Sequence, residues 1–377
     1  MMDTRIDFLY LNEPDMLKAG VTDMAGCVAS MEEMFKCLGV GDYLMGGANA
    51  NSHGIMLAFP DKPEHPGMPQ NGPDRRYMAM PAYLGGPFQI TGMKWYGSNV
   101  ENKAKGLPRS ILMVWLNDKD TGAPLALLSA NLLSAYRTGA IPGVGAKYLA
   151  RQDARVVGVI GPGVMSKTAL ESFMVARPAI DTVQICGRSQ GGIDSFTAFV
   201  KAKFPQITNI KVVRSFEAAV DGADIISVAT SSPLGIENYP YFNEKWLKPG
   251  ALFTLPGAIR FDDEFLLQRA GIVVDNWKLY EAWGEEIPFP AYAVIPLLGA
   301  HLVDLVHEQK IERAQIRDIG EIIAGKIPAR KSEDEIIVMS IGGMPVEDLA
   351  WGMTLYRKAV QMGLGTKLNL WEQPALV

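Results

Sequence analysis

Short apolar runs alternate with helical stretches in the second half of the chain, from about residue 155 onward. The runs are RVVGVIG (155–161), TVQICG (182–187), IKVVRS (210–215), ADIISVAT (223–230), ALFTLPG (251–257) and GIVVDN (271–276). Apolar runs of this length are typical of strands that are covered on both faces. The alternation therefore predicts an α/β fold with a doubly wound parallel sheet and helices on both sides of it.

The first half of the chain has a mixed pattern of helix and strand. Residues 23–39 have apolar positions at helical spacing, which predicts an amphipathic helix. A polar, Pro-rich loop at 60–76 precedes strand-like runs at 88–97, 110–118 and 123–130. The turn sequence KDTG joins the last two runs, and this arrangement predicts a β-hairpin.

The end of the chain returns to helical spacing at residues 345–363, with a proline at the start and a glycine past the end. No linker precedes this tail, so we expect it to pack back onto the first domain. The predicted domains are 1–150, joined by 336–377, and 151–335. The length of 377 residues agrees with two domains of roughly 100–200 residues each.

Composition narrows the class of protein. The net charge of -5 argues against a nucleic-acid-binding surface. No apolar run approaches the ~18 residues of a membrane helix, and the first residues lack the pattern of a signal peptide. The three cysteines and four histidines are scattered without the spacing of metal ligands. We expect a metal-free, cytoplasmic protein in a reducing compartment.

The stretch VGVIGPGVMSKT, residues 157–168, joins the first of the predicted parallel strands to a helix. In a dinucleotide-binding loop of the form GxGxxS, Gly161 permits the tight turn and Gly163 lets a pyrophosphate approach the backbone. Ser166, in place of a third glycine, is small enough for close helix–strand packing. The loop predicts cofactor contacts from these three residues and from Val164 and Met165, although a plain strand-to-helix turn has the same glycines.

The next predicted strand ends in Cys186, Gly187, Arg188 and Ser189. An NAD site usually has an acidic residue at this point that binds the ribose 2′-hydroxyl group. Here Gly187 leaves room for a larger group. The guanidinium of Arg188 and the hydroxyl of Ser189 come next, and both are suited to bind a 2′-phosphate group. The sequence therefore favours NADP(H) as the cofactor, with NAD(H) possible. A surface arginine in a turn is the alternative interpretation of Arg188.

Six strings, in order along the chain, resemble the ornithine cyclodeaminase/mu-crystallin family. They are GMKWYGS, SAYRTGA, GPGVMS, LKPGALFTLPGA, MSIGGMPVED and GLGTKLNL. The resemblance implies a homodimer in which both chain ends build an α+β substrate-binding and dimerisation domain around a central Rossmann domain. It also implies hydride transfer between a nicotinamide and the alpha carbon of a small amino acid or its imine.

The resemblance assigns roles to individual residues. Lys94 matches a lysine that contacts the substrate carboxylate and assists proton transfer, and Arg137 matches an arginine that binds the carboxylate. The alternative interpretation of Lys94 is a strand lysine that faces solvent, and the alternative for Arg137 is a helix arginine in a surface ion pair. Positions that contact the cofactor in the family are matched by Ser110, Thr230 and Ser340.

Two departures from the family pattern bear on the reaction. Ala258 stands where cyclodeaminases have a catalytic aspartate, and the nearest acids are Asp262 and Asp263. Mu-crystallin-type ketimine reductases also lack that aspartate. Asn49 stands where cyclodeaminases have a carboxylate-binding arginine, so it is expected to offer the substrate a neutral hydrogen bond.

Another cation could replace that arginine, and Arg75 and Arg76 are the candidates, although both could be solvated loop residues. The leading hypothesis is NADP(H)-dependent reduction of a 2-imino acid or cyclic ketimine, by an imine reductase or an amino-acid dehydrogenase. The alternatives are an ornithine- or lysine-type cyclodeaminase that releases ammonia, and a non-catalytic protein that binds NADP and a small ligand.

Overall fold

A computed structural model describes residues 4–230 and 232–376. The strands are β1 (Ile6–Leu11), β2 (Tyr43–Met45), β3 (Ile55–Ala58), β4 (Arg76–Leu84), β5 (Ile90–Ser98), β6 (Ser110–Asn117), β7 (Pro124–Ser129), β8 (Val156–Ile160), β9 (Thr182–Cys186), β10 (Asn209–Val213), β11 (Ile225–Val228), β12 (Leu252–Leu255), β13 (Gly271–Val274), β14 (Ile316–Asp318), β15 (Ile337–Ser340) and β16 (Thr366–Trp371). The helices are α1 (Glu13–Lys18), α2 (Met24–Val40), α3 (Asn131–Leu149), α4 (Val164–Ala176), α5 (Gln190–Lys203), α6 (Phe216–Val220), α7 (Asp263–Gln268), α8 (Trp277–Glu286), α9 (Leu298–His307), α10 (Ile319–Ile323) and α11 (Pro345–Met362).

The described residues form two compact units. The first unit holds residues 4–23, 42–137 and 344–376, and the second holds the rest. Among these residues, no helix is both long enough and apolar enough to span a membrane.

The first unit is an α+β structure built from both ends of the chain. Its sheet has the strand order β16-β1-β7-β6-β5-β4-β2, and β3 also pairs with β4. Strands β1 and β16 pair with each other, so the two chain ends meet in one sheet. The predicted hairpin is confirmed, because β6 and β7 are antiparallel neighbours.

Helix α11 confirms the helix predicted near the end of the chain, and Gly363 ends it in the left-handed conformation at φ 64°. The helix packs on strands β4, β5 and β6. Gly92 in β5 permits this approach, because a Cβ atom there would lie 2.8 Å from a methyl group of Leu349 and 2.2 Å from the carbonyl oxygen of Trp115.

The second unit contains the predicted parallel sheet. Its strand order is β10-β9-β8-β11-β12-β15-β13-β14, and every neighbouring pair is parallel. From β8 the sheet extends to β9 and β10 on one side and to β11 and β12 on the other. This reversal of the strand order at β8 is the doubly wound arrangement of a Rossmann-type fold. Ligands of such sheets bind outside the carboxyl ends of the strands, where the order reverses.

The predicted domain boundaries need correction at three places. Residues 337–340 form β15 inside the parallel sheet, so the chain returns to the first unit only at residue 344 and not at 336. The amphipathic helix predicted at 23–39 forms as α2 but belongs to the second unit, since it packs on α10 and α4. The first boundary falls after Arg137, within α3, rather than at residue 150. An uninterrupted helix offers no break in composition that could mark such a boundary.

Candidate active site

The glycine loop of the second unit follows β8 and opens α4. Gly161 has φ 85°, and a Cβ atom there would lie 2.6 Å from the carbonyl oxygen of Ala229, so the turn requires glycine. Ser166 donates a hydrogen bond of 2.7 Å to the carbonyl oxygen of Gly161 and closes the loop.

The N-terminus of α4 is open. Gly163 is the N-cap residue without a side-chain cap, and no atom lies within 4 Å of the position of its missing Cβ atom. The next two residues, Val164 and Met165, have relative exposures of 66% and 37%. Free backbone amides at a helix N-terminus attract a phosphate group, so this loop fits the pyrophosphate of a dinucleotide.

The segment after β9 lies beside this loop, since Ile160 and Cys186 are paired in register. Gly187 makes room for the ring of Pro162, which would lie 2.8 Å from a Cβ atom there. The sequence predicted that the lack of a side chain at Gly187 leaves room for the cofactor, whereas in the structure the space is filled by Pro162. Ser189 caps α5 by accepting from the amide of Gly192. Arg188 is exposed and makes no hydrogen bond or ion pair with the described residues.

Thr230 and Ser340 are also expected to contact the cofactor, and their surroundings differ from each other. The hydroxyl group of Thr230, just after β11, is buried and has no hydrogen-bond partner among the described residues. Ser340 is fully buried at the end of β15, where it accepts hydrogen bonds from the amide of Gly299 at 2.9 Å and the hydroxyl of Tyr280 at 3.1 Å. Ser340 therefore links elements of the second unit.

Ala258 lies in an apolar environment. It is 4% exposed and belongs to a buried cluster with Tyr239, Ala291, Tyr292 and Ala300. The two nearby acids have other partners. Asp262 accepts from the hydroxyl of Tyr241 at 2.8 Å, and Asp263 lies 2.9 Å from the Nε2 atom of His301. Neither carboxylate replaces the aspartate that cyclodeaminases have at the Ala258 position.

Lys94 and Arg137 come together inside the first unit. Lys94 is in the middle of β5 and Arg137 is in α3, with relative exposures of 3% and 6%. Lys94 Nζ donates a hydrogen bond of 2.9 Å to the hydroxyl of Ser134, which lies one helical turn before Arg137. The solvent-exposed alternatives considered for both residues therefore do not apply.

Two buried carboxylates balance these cations. Glu347 and Asp348 are in the first turn of α11 and have no exposed surface. The two carboxylate oxygens of Asp348 lie 3.1 and 3.2 Å from Lys94 Nζ, and one of them lies 3.1 Å from Arg137. Glu347 contacts the Nη1 atom of Arg137. We call Lys94, Ser134, Arg137, Glu347 and Asp348 the buried ion cluster.

Neither acid was predicted from the sequence. Carboxylates in the first turn of a helix are common because they interact favourably with the helix dipole, so they resembled surface residues. The string MSIGGMPVED, which contains them, was the available signal.

The electrostatics of the buried ion cluster favour proton exchange at Lys94. Burial and the nearby Arg137 lower the pKa of Lys94 to about 8, while Asp348 acts in the opposite direction. Burial and the charges of Lys94, Arg137 and Arg76 lower the pKa of His53 to about 4, so its imidazole is neutral near pH 7. The cluster thus contains one amine that gains and loses a proton near neutral pH.

The remaining expected site residues hold local structure. Asn49 Oδ1 accepts from the amide of Asn51 at 2.9 Å and shapes the turn that precedes His53. Ser110, at the start of β6, donates a hydrogen bond of 3.0 Å to the hydroxyl of Ser98. Ser110 belongs to the first unit, on the strand next to that of Lys94.

The family model for the ornithine cyclodeaminase/mu-crystallin family matches residues 20–363, and the chain belongs to this family. The chain is 27% identical over 368 residues to N-((2S)-2-amino-2-carboxyethyl)-L-glutamate dehydrogenase from Staphylococcus aureus, which covers 97% of this chain and 99% of that protein.

Two solved structures are also similar. An archaeal alanine dehydrogenase dimer with bound NAD has a TM-score of 0.76 and 24% identity, over 97% of this chain and 100% of that one. The Delta(1)-pyrroline-2-carboxylate reductase of Thermococcus litoralis, in complex with NADH and L-proline, has a TM-score of 0.74 and 25% identity, over 95% and 99%.

The two loop glycines predict a contrast in stability. We expect Gly161→Ala to lower the free energy of unfolding by about 1–3 kcal/mol, because alanine is strained at positive φ and meets a carbonyl oxygen. Gly163→Ala should change it by less than about 1 kcal/mol, since the residue has ordinary extended geometry and open space. Urea unfolding of both variants measures the difference. Equal losses would contradict the proposed role of Gly161.

Proposed function

We propose that this protein is a nicotinamide-dependent oxidoreductase that reduces the C=N bond of a 2-imino acid or cyclic ketimine to give the amino acid. The observation that carries this proposal is the buried Lys94–Arg137 pair, in which the lysine has a lowered pKa. The open glycine loop on the second unit and the activities named for the relatives support the proposal.

Arg137 is suited to bind the substrate carboxylate. Its Nε atom is buried and has no hydrogen-bond partner among the described residues, while the other two nitrogens face Glu347 and Asp348. A carboxylate that binds Nε gains a charge-assisted hydrogen bond. In this proposal, Arg137 fixes the orientation of the imino acid.

Lys94 is suited to supply the proton. A dihydronicotinamide, when bound, would supply the hydride, with its two electrons, for the imine carbon and would leave as the oxidised nicotinamide. Lys94 donates one proton to the imine nitrogen, so that hydride and proton together give the neutral amine, and the lysine regains its proton from water. A general acid is most effective when its pKa is near the working pH, and a pKa of about 8 meets this condition. His53, being neutral, is a poorer proton donor.

Ornithine-type cyclodeamination is the less favoured function because Ala258 is buried among apolar side chains. Loss of a positioned acid–base group costs about 10²–10⁴-fold in rate. A purely binding role is also less favoured, since it does not require a buried lysine with a lowered pKa.

The function is tested by spectrophotometry at 340 nm with the purified protein, NADPH or NADH, and Δ1-pyrroline-2-carboxylate or mixtures of 2-oxo acids with amines. A parallel reaction of ornithine with NAD is assayed for ammonia and proline. We expect oxidation of the reduced cofactor with an imine, abolished by Lys94→Met, and no proline from ornithine. Formation of proline without accumulation of NADH would instead establish cyclodeamination.

Asp348 is expected to set the pH range of the reaction. It raises the pKa of Lys94, so Asp348→Asn should lower that pKa further. Since reduction needs the protonated lysine, kcat/KM should fall above about pH 8 in the native protein and at lower pH in the variant. The measurement is a pH profile of kcat/KM, with Asp61→Asn in the exposed loop as the control. An unchanged or higher midpoint in the Asp348 variant would contradict this role.

NADP(H) is the proposed cofactor, with NAD(H) as the alternative. The support is Arg188, an exposed cation without an ion-pair partner among the described residues, beside the glycine loop. Arg188→Ala should raise KM for NADPH by at least about tenfold, the usual effect of losing a hydrogen bond to a charged group. KM for NADH should change less than about twofold, and the exposed Lys211→Ala should affect neither. Equal changes for both cofactors would argue against a 2′-phosphate contact.

We assign substrate binding and dimerisation to the first unit and cofactor binding to the second. The outer face of the first sheet exposes apolar side chains, among them Tyr77, Ile111 and Met113, around a groove of about 590 Å³. An apolar face of this kind is typical of a subunit interface, and a similar structure is named a dimer. Sedimentation velocity should therefore show a dimer that Ile111→Glu dissociates, while a native monomer would contradict the assignment.

A cytoplasmic location is proposed with this function. The three cysteines are buried and their thiols are reduced, which agrees with a reducing compartment.

A further inference from the structure

Arg76 lies on the same face of the first sheet as Lys94. Arg76 in β4 is opposite Ser98 in β5, and Ser98 is opposite Ser110 in β6. Side chains two residues apart on a strand share a face, so Lys94, Tyr96 and Ser98 point to one side. Ser98 is four residues from Lys94 along β5. Arg76, which is opposite Ser98, therefore lies on the same face as Lys94 and about 13 Å from it along the strand direction.

Tyr96 occupies the row between the two cations. Its ring centroid lies 5.7 Å from Lys94 Nζ and 6.0 Å from the guanidinium carbon of Arg76. Helix α11, which covers this face, begins at Pro345 and brings its first turn to Lys94. The side chain of Arg76 keeps a relative exposure of 32%, so a bound molecule can reach it.

Arg76 belongs to a group that has one net positive charge. The carboxylate of Asp74 contacts Arg76, lies 3.2 Å from Arg109, and accepts a hydrogen bond of 2.6 Å from Ser98. One carboxylate thus faces two guanidinium groups. Of the nitrogens of Arg76, Nε and Nη2 have no hydrogen-bond partner among the described residues. Arg75 differs, because Glu101 balances its charge at 2.6 Å.

The buried ion cluster, in contrast, is electrically balanced, with two cations and two carboxylates. The lowered pKa of the partly buried His53 reflects the charge of Arg76 together with the charges of Lys94 and Arg137. All three cations therefore act on one region of the first unit, and the group of Arg76, Arg109 and Asp74 supplies the one positive charge that is not offset.

We propose that Arg76, with Arg109 beside it, binds a second carboxylate of the substrate, so that the preferred substrate is an imino acid with two carboxylates. The inference rests on the proposed function, in which Arg137 binds the first carboxylate. The second carboxylate belongs either to the side chain or to a substituent on the nitrogen, and both have the same chemistry at Arg76.

Pairs of ligands that differ in one charge test this proposal. Binding to the protein saturated with oxidised NADP is measured by calorimetry for L-glutamate against L-glutamine, and for N-carboxymethyl-L-alanine against L-alanine. We expect at least one dicarboxylate to bind about tenfold or more tightly than its partner. A preference in the first pair identifies a side-chain carboxylate, and a preference in the second identifies one on the nitrogen. Equal affinity within both pairs would overturn the proposal.

Three variants separate binding by Arg76 from a general effect on structure. Arg76→Gln should abolish the preference, and the neighbouring Arg75→Gln should retain it. Asp74→Asn should strengthen the preference, because it removes the competing carboxylate. Asparagine tolerates the φ of 55° at this position. A disrupted fold would weaken binding of all four ligands and could not strengthen it.

The two proposals fail in different ways. If imines are reduced but Arg76→Gln and Asp74→Asn leave the preference for dicarboxylates unchanged, only the role of Arg76 is overturned. If no imine is reduced and none of the four ligands binds, the proposed function is overturned, and the second carboxylate site with it.

Discussion

The first unit depends on the neutralisation of two buried cations by two buried carboxylates. Lys94 is in a strand, Arg137 is in α3, and Glu347 and Asp348 are in α11, so the ion cluster joins segments that are far apart in the sequence. A buried charge without its partner is strongly destabilising, by about 3–5 kcal/mol. The cluster therefore fixes the part of α3 up to Arg137 and the start of α11 against β5, and it places an amine and a guanidinium at a defined point on the sheet.

The same balance underlies the proposed action of the cluster on a substrate. Burial lowers the pKa of Lys94, and the nearby carboxylate of Asp348 keeps it from falling further. The amine is consequently near its titration midpoint in slightly alkaline solution. Arg137 keeps its charge and retains one buried nitrogen for a ligand. In the proposed function, Lys94 would donate the proton and Arg137 would bind the carboxylate, although the two cations share the carboxylate of Asp348. Neither role requires an acid at position 258.

The sequence predicted much of this molecule because local patterns report on local structure. Short apolar runs predicted the parallel sheet, the KDTG turn predicted the hairpin, and Pro345 marked the start of α11. The patterns could not predict long-range partners. The pairing of Lys94 with Asp348 depends on how a helix packs on a sheet, and first-turn acids usually lie at the surface. Similarly, Gly187 is required by contact with Pro162, which only the register of β8 and β9 reveals.

The lowered pKa of Lys94 is the central claim, and NMR measures it directly. The protein would be labelled with lysine carrying ¹³C at Cε, and the Lys94 resonance would be assigned as the one missing from Lys94→Arg. Titration should give a midpoint near pH 8 for this resonance, with the exposed lysines near their ordinary value of about 10.4. A midpoint close to 10.4 for Lys94 would contradict the account, because the amine would then be an ordinary ion-pair partner.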